Sequence, residues 1–180
     1  MKIKQRNLFL SYRSLSIILL LVVIGLLAYI LFPQQINQNL AYLVLPDLST
    51  KGYTEVALEV DTDTGTIKLG GGCYQLSATV ERSQAESIQN GIDGVVGPRP
   101  NSHDLFNDML KVLEIKILMI KITELNDGAY QSNMIMRHDN TFMNLEARPS
   151  DAIAIAARTD YIVPMYVNET LLKEMGEKIC

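Results

Sequence analysis

The distribution of apolar and polar residues separates one long apolar run near the N-terminus from a longer region of short, alternating segments. Residues 15–32 carry no charged side chain. As an α-helix, these eighteen residues would extend about 27 Å, close to the thickness of the hydrocarbon layer of a membrane. The pattern therefore predicts one N-terminal transmembrane helix at 15–32, which would anchor the protein.

The charges before this run predict its orientation. The first 46 residues contain no acidic side chain, and their basic side chains all precede the run, at Lys2, Lys4, Arg6 and Arg13. Positively charged flanks stay on the cytoplasmic side of a membrane. We therefore expect a single-pass protein of the cell membrane, with a cytoplasmic N-terminus and the remaining chain outside.

A cleaved signal peptide is the alternative interpretation of the same run. Its apolar region would be shorter and followed by small residues at a cleavage site. Here Phe32-Pro33-Gln34-Gln35 follows, which favours a retained anchor. The expected organisation is a basic segment at 1–14, the anchor at 15–32, a linker at 33–52 and a folded domain at 53–180.

Beyond the linker, the pattern predicts strands interrupted by helices. Alternating apolar positions typical of strands occur at 53–60, 66–69, 73–80, 115–125, 129–136, 141–145 and 161–167. Helical spacing follows Ser83, Ser102, Ser150 and Asn168. Asp127-Gly128 is a strong signal for a tight hairpin. We therefore predict an α+β fold with a mainly antiparallel sheet, or sheets, and packed helices.

Serine residues are the expected N-caps of three helices. Ser83 and Glu86 have the spacing of a capping box, whereas Ser102 and Ser150 each come shortly after an Arg-Pro pair, which suits a helix start. The glycines at 70–72 lack the Gly-Lys-Ser/Thr ending of a phosphate-binding loop. They are interpreted as a turn between strands.

Charge and cysteine content narrow the possible functions. The chain beyond residue 46 has twelve Lys and Arg against twenty Asp and Glu, a net charge of about −8. This argues against tight binding of nucleic acid through phosphate neutralisation, but not against a local site acting transiently on phosphodiesters. Cys73 and Cys180 form neither a disulfide framework nor a metal motif. Since Cys180 is the last residue, two unpaired thiols are favoured.

Two similar polar segments are the best candidates for a functional site. RPNSHD at 99–104 and EARPSD at 146–151 each combine Arg-Pro with serine and aspartate before an apolar helical run. Because an aspartate in the first turn suits the positive end of a helix dipole, both segments should be helix starts. We expect the two helix starts to form one polar site.

Each charged side chain of these segments has a structural and a functional interpretation. His103 is either the general acid or base of the site or a first-turn residue that hydrogen-bonds a carboxylate. Arg99 and Arg148 would either grip phosphate oxygens or pair with Asp104 or Asp151. Those aspartates would in turn orient His103, hold a divalent cation or neutralise an arginine.

Four segments taken together resemble the bifunctional nuclease domain family: RPNSHDL at 99–105, DGAY at 127–130, EARPSDAIA at 146–154 and PMYV at 164–167. The resemblance runs from about Tyr53 to Leu172. It implies an α+β domain in a wedge-shaped dimer, with an active-site groove at the thick end that cleaves DNA and RNA. Two positions differ from the pattern of many members, since Glu146 stands in place of aspartate and Gln84 in place of glutamate.

Carried over position by position, the resemblance implies His103, Asp104 and Asp151 as catalytic residues and Arg99, Arg148 and Ser150 as substrate-binding residues. The cofactor stays open, with a divalent cation such as Mg²⁺ as one option. The main hypothesis is a membrane-anchored, homodimeric nuclease acting on DNA and RNA without strong sequence preference. The alternative is a non-enzymatic dimeric module that uses the same fold for interaction or small-ligand binding.

Overall fold

The computed structural model describes residues 6–31 and 47–180. The chain divides into two compact units, Met1–Leu45 and Pro46–Cys180. In the first unit, helix α1 spans Arg6–Leu31, and the large apolar side chains between Leu15 and Leu27 are exposed.

The predicted anchor at 15–32 is not supported by the structure. Among the described residues, no helix combines the length and the apolarity needed to cross a membrane. Phe32 and most of the predicted linker at 33–52 lie outside the described residues.

The second unit is built on one eight-stranded sheet with the order β6-β5-β4-β7-β1-β2-β3-β8. Its strands are β1 Tyr53–Asp61, β2 Thr66–Gly71, β3 Tyr74–Thr79, β4 Lys116–Asn126, β5 Ala129–His138, β6 Thr141–Ala147, β7 Met165–Asn168 and β8 Glu177–Lys178. The meanders β1–β2–β3 and β4–β5–β6 are antiparallel. Strand β7 joins them, antiparallel to β1 and parallel to β4. The predicted α+β fold with a mainly antiparallel sheet is confirmed.

The hairpin between β4 and β5 follows the sequence signal closely. Asp127 and Gly128 both have positive φ, 50° and 79°, as a tight primed turn requires. Strand β4 changes its pairing register between Ile117 and Met119 and again between Ile122 and Glu124. These irregularities explain why the apolar alternation of this strand shifts phase.

Four helices of this unit are α2 Arg82–Ile92, α3 Ser102–Val112, α4 Pro149–Ala156 and α5 Glu169–Met175. Helix α4 packs against α2 and α3 and also contacts β4 and β5. Its side chains Ala152, Ile153 and Ala154 are almost fully buried, and they join the apolar core together with Ile120 and Val167 of the sheet. This packing brings the starts of α3 and α4 together.

The N-caps differ from those predicted. Helix α2 begins after Glu81, which makes no side-chain capping bond. Helix α3 is capped by Asn101, whose side-chain oxygen accepts the amides of His103 and Asp104 at 2.8 and 3.0 Å. Ser102 is the first helical residue rather than the cap, because asparagine at the preceding position already satisfies the free amides.

Helix α4 begins differently from α3. Its N-cap is Arg148, which makes no side-chain capping bond, and Pro149 occupies the first helical position. Ser150 is therefore inside the first turn, where its hydroxyl is not a cap. The last helix is capped by Asn168, whose side-chain oxygen accepts the amide of Thr170 at 2.9 Å.

The prediction of two unpaired thiols is wrong. Cys73 and Cys180 form a disulfide, with their Cα atoms 5.2 Å apart. The C-terminus is not loose, because β8 pairs with β3 and the amide of Ile179 donates to the carbonyl of Cys73 at 3.0 Å. These backbone bonds hold the last residue beside Cys73.

Candidate active site

The starts of α3 and α4 meet through His103 and Asp151. His103 Nε2 lies 3.4 Å from Asp151 Oδ1, although the two residues are 48 positions apart in the chain. The side chains are 17% and 27% exposed, so the pair reaches the surface without being fully solvated. The expectation that the two polar segments form one site holds for these two residues.

The other ring nitrogen of His103 faces into the protein. His103 Nδ1 lies 2.9 Å from the hydroxyl of Ser87, a buried residue of α2. The same hydroxyl accepts from Asn101 Nδ2 at 3.4 Å and from Arg158 Nη2 at 3.2 Å. Three helices therefore contribute to the surroundings of one imidazole.

Arg158 lies buried behind His103 and connects α2, α3 and α4 by hydrogen bonds. Its Nε donates to Asp104 Oδ1 at 2.5 Å, and its Nη1 donates to the carbonyls of Ser87 and Ala154 at 2.9 and 2.7 Å. The side chains of Arg158 and Asp104 are only 6% and 8% exposed. A buried charge of this kind requires such a paired and hydrogen-bonded environment.

Asp104 therefore faces Arg158, and not the surface. Its second oxygen accepts the backbone amide of Asn101 at 2.8 Å and completes the capping box of α3. Desolvation raises the pKa of this carboxyl, but the hydrogen bonds from Arg158 and the Asn101 amide, together with the nearby positive charge of Arg158, lower the pKa overall. These contacts favour the structural interpretation of Asp104.

Arg148 and Asp151 form a second pair, at the surface. Arg148 Nε and Nη2 donate to the two oxygens of Asp151 at 2.7 and 3.1 Å, and the arginine side chain is 70% exposed. Desolvation raises the pKa of the Asp151 carboxyl, but Arg148 and then His103 lower it by more, so that the pKa falls below its usual value. Asp151 is thus the carboxylate that contacts His103.

Ser150 and Arg99 occupy different surroundings. Ser150 is 8% exposed and lines, with Arg148 and Ile153, a mainly apolar cavity of about 230 Å³. Its hydroxyl has no hydrogen-bond partner within the described part of the chain. Arg99 is exposed on the loop before α3, and among residues 6–31 and 47–180 its guanidinium pairs with no carboxylate. The structure does not bring Arg99 into contact with the other candidates.

Ser87 and Arg158 were missed from the sequence. Ser87 lies inside α2 without a motif around it, and its role depends on contacts 16 and 71 positions away. Arg158 offered one signal, because it is a charged residue directly after the small apolar run of α4. An arginine at that position must either reach solvent or find a buried partner.

The described side chains do not assemble a cation site from protein ligands alone. Across the described ranges, no group of three or more His, Cys, Asp or Glu side chains is placed to hold one ion. His103 and Asp151 provide two candidate ligands, and both oxygens of Asp151 are engaged by Arg148.

Comparison with known proteins identifies relatives of this arrangement. A family model described as "Bifunctional nuclease domain" matches residues 70–179. Two uncharacterized proteins of Mycobacterium tuberculosis, from strains CDC 1551 / Oshkosh and ATCC 25618 / H37Rv, are each 33% identical over 105 residues. The match covers 58% of this chain and 61% of each relative, so the chain spans about three fifths of their length.

Proposed function

The chain belongs to the bifunctional nuclease domain family, and from this premise we propose that it hydrolyses phosphodiester bonds of DNA and RNA without strong sequence preference. The observation that carries the proposal is the contact of His103 with Asp151 at the meeting point of two helix starts. An exposed arginine lies directly beside this pair. An imidazole, a carboxylate and a guanidinium in contact are suitable groups for phosphoryl chemistry.

Arg148 is the proposed phosphate-binding residue. It uses Nε and Nη2 for Asp151, whereas its Nη1 has no partner among the residues that the structure describes. This nitrogen can donate to a phosphate oxygen while Asp151 continues to hold the guanidinium in place. Ser150 lines the same cavity as Arg148, and its hydroxyl is the proposed second donor. Arg99 is proposed to contact the nucleic-acid backbone outside this cavity.

His103 is the proposed residue at the reacting phosphate, through Nε2. Hydrolysis requires water to form a bond to phosphorus while the bond to one bridging oxygen breaks, and the leaving oxygen ends with a proton. Nε2 is the ring atom on the side of Asp151 and Arg148. Asp151 orients the ring, whereas Asp104 acts at a distance by fixing the start of α3.

The charge balance predicts weak, transient substrate binding. Arg148 and Asp151 neutralise one another, and the chain beyond residue 46 carries a net charge of about −8. A protein with few phosphate contacts gains little from counterion release. Contacts to phosphates carry no sequence information, so we expect no strong selection by base sequence.

The proposal is tested with the purified full-length chain on single-stranded DNA and RNA oligonucleotides, each with EDTA, Mg²⁺ or Mn²⁺. We expect cleavage of both substrates under at least one condition. Arg148→Gln should raise KM about tenfold, because one charged phosphate contact is lost. Arg82→Gln is the matched control, since Arg82 is a similarly exposed arginine paired with Glu86 at 2.9 Å.

Absence of product under every condition would contradict the proposal. It would favour the alternative of a non-enzymatic module, for which the buried Arg158–Asp104 pair is a purely structural element. Assembly into a homodimer stays a prediction from the family resemblance.

A further inference from the structure

We infer that Ser87, held by Arg158 and Asn101, fixes the proton of the neutral His103 ring on Nε2. His103 then presents a hydrogen-bond donor to the substrate, and its lone pair points into the protein. Ser87 is a positioning residue in this account, because it touches the imidazole and not the substrate. The catalytic consequence rests on the proposed function, whereas the position of the proton does not.

Two hydrogen-bond donors surround the hydroxyl oxygen of Ser87. Its hydroxyl oxygen lies 3.2 Å from Arg158 Nη2 and 3.4 Å from Asn101 Nδ2. Guanidinium and amide nitrogens can only donate, and a hydroxyl has two lone pairs and one hydrogen. Since both lone pairs face donors, the hydroxyl hydrogen is left for His103 Nδ1 at 2.9 Å.

Arg158 is held in this position by burial and by its other hydrogen bonds. Its side chain is 6% exposed, and its other nitrogens donate to Asp104 Oδ1 and to the carbonyls of Ser87 and Ala154. Moving the guanidinium would leave a charge and several acceptors unpaired in a buried place. Its donation to Ser87 is therefore a fixed feature of the fold.

The contact of Nε2 with Asp151 favours the same position of the hydrogen. If Nδ1 accepts from Ser87, the neutral imidazole carries its hydrogen on Nε2. Nε2 lies 3.4 Å from Asp151 Oδ1, and an ionised carboxylate can only accept. Both neighbours of His103 thus favour the same tautomer.

The chemical consequence concerns the role of His103. A neutral ring with its hydrogen on Nε2 cannot remove a proton from water on the substrate side, because its lone pair is directed at Ser87. In exchange for its 3.4 Å contact with Asp151 Oδ1, Nε2–H can donate a hydrogen bond to a phosphate oxygen on which negative charge develops, a form of transition-state stabilisation. The Nε2–H tautomer therefore excludes the general-base role that the sequence left open for His103.

The tautomer is measured by long-range ¹H–¹⁵N correlation spectra of the full-length chain at neutral pH. The sequence contains two histidines, so His138→Gln assigns the signals, and exposed His138 is the internal reference. We expect the neutral form of the His103 ring to show a protonated Nε2 and an unprotonated Nδ1. A neutral wild-type ring with its hydrogen on Nδ1 would overturn the inference without any variant.

The role of Ser87 is isolated in an Asp151→Asn background, because an asparagine side chain can accept from or donate to Nε2. There the Nε2–H form should persist while Ser87 is present, become mixed with Ser87→Ala, and return with Ser87→Thr, which keeps the hydroxyl. If Ser87→Ala leaves the tautomer unchanged in this background, a group other than Ser87 fixes the proton and the inference is wrong. Ser132→Ala is the stability control, because it removes a buried hydroxyl that donates to Ala147 O.

Activity measurements separate this inference from the proposed function. Ser87→Ala in the otherwise unaltered chain should lower kcat roughly tenfold and leave KM unchanged, because the ring loses one of the two contacts that orient it even though Asp151 still favours Nε2–H. A chain that shows the Nε2–H tautomer but cleaves no nucleic acid would contradict the proposed function alone.

Discussion

At the scale of single residues, the site contains two arginine–aspartate pairs that differ in exposure. The side chains of Arg158 and Asp104 are 6% and 8% exposed, whereas Arg148 is 70% exposed beside Asp151. An exposed pair contributes little to stability, and its arginine can contact a substrate while it stays paired with Asp151. A buried pair cannot be broken without leaving a desolvated charge.

The Asp104→Asn substitution should therefore destabilise the domain. It leaves Arg158 charged and buried without its carboxylate and weakens the capping box of α3. We expect the free energy of unfolding in urea to fall by about 3 kcal/mol. Asp108→Asn, at an exposed position of the same helix, is the control and should change stability by less than about 0.5 kcal/mol. Equal effects of the two substitutions would contradict the assigned role of Asp104.

The same pair gives the stability a defined pH dependence. The pKa of Asp104 is lowered from its ordinary value of 3.8 by Arg158 and the Asn101 amide, despite desolvation. Its stabilisation is therefore complete above pH 3.8 and is lost as the pH falls further, because the unfolded chain takes up the proton first. The acid-side decline should be shallower in Asp104→Asn than in the wild type, and identical slopes would contradict this account.

The sequence identified several of these residues and allowed the pairing of Arg148 with Asp151 that the structure shows, but it did not identify the partners of the buried ones. His103, Arg148 and Asp151 could be selected because they occur in helix starts of recognisable composition. Asp104 was placed in the right segment, but its partner Arg158 is 54 positions away, and no local pattern encodes that distance. Ser87 was not identified, since a serine within a helix carries no signal of the imidazole that it contacts.

At the scale of elements, the close contact between α2 and α4 brings Arg158 within hydrogen-bond distance of Ser87. The contact depends on Gly91, where an added Cβ would lie 2.8 Å from Arg158 Nη1, 3.0 Å from Ala157 Cβ and 3.3 Å from Ala154 O. The guanidinium cannot move aside, because its nitrogens are already hydrogen-bonded to Asp104, Ser87 and Ala154. A side chain at this position must therefore push the two helices apart.

Gly91→Ala should lower the stability by about 1–3 kcal/mol through overpacking, although alanine favours a helix interior over glycine. The change is measured as the free energy of unfolding in urea. Gly97→Ala is the control, because an added Cβ there meets only Arg99 O at 3.6 Å, an ordinary contact. A more stable Gly91→Ala protein would show that the helix contact has room to relax.

The elements themselves were largely predictable, and their connections were not. The alternation of apolar and polar residues indicated the strands of both meanders, and Asp127-Gly128 indicated the hairpin between β4 and β5. The placement of β7 between β1 and β4 depends on pairing between distant parts of the chain, and periodicity does not report this. The N-caps of α3 and α4 lie one and two residues before the predicted serines. Asn101 caps α3 in place of Ser102, and Pro149 occupies the first helical position of α4.

At the scale of the whole molecule, one covalent link closes the sheet-bearing unit. The disulfide joins Cys73 to Cys180 across a sequence separation of 107 residues. Closing so long a segment removes conformational entropy from the unfolded chain. Disulfides persist in oxidising compartments, and the position of the domain outside the cytoplasm stays a prediction.

Cys180→Ser should lower the free energy of unfolding by about 4–5 kcal/mol on the chain-entropy account. Cys73→Ser should have the same effect, and the double substitution should add little to either. Urea unfolding with and without a reductant measures this, together with thiol titration of the unfolded protein. A wild-type protein that titrates two free thiols without reductant would contradict the link.

The central claim is that the His103–Asp151 site cleaves phosphodiester bonds, and paired histidine substitutions test it most directly. The full-length chain contains two histidines, so His103→Ala and His138→Ala are matched variants that also control for contaminating nucleases. We expect His103→Ala to lower the cleavage rate of single-stranded DNA and RNA at least about a hundredfold, with His138→Ala equal to the wild type. Equal cleavage by all three proteins would contradict the assignment of the active site.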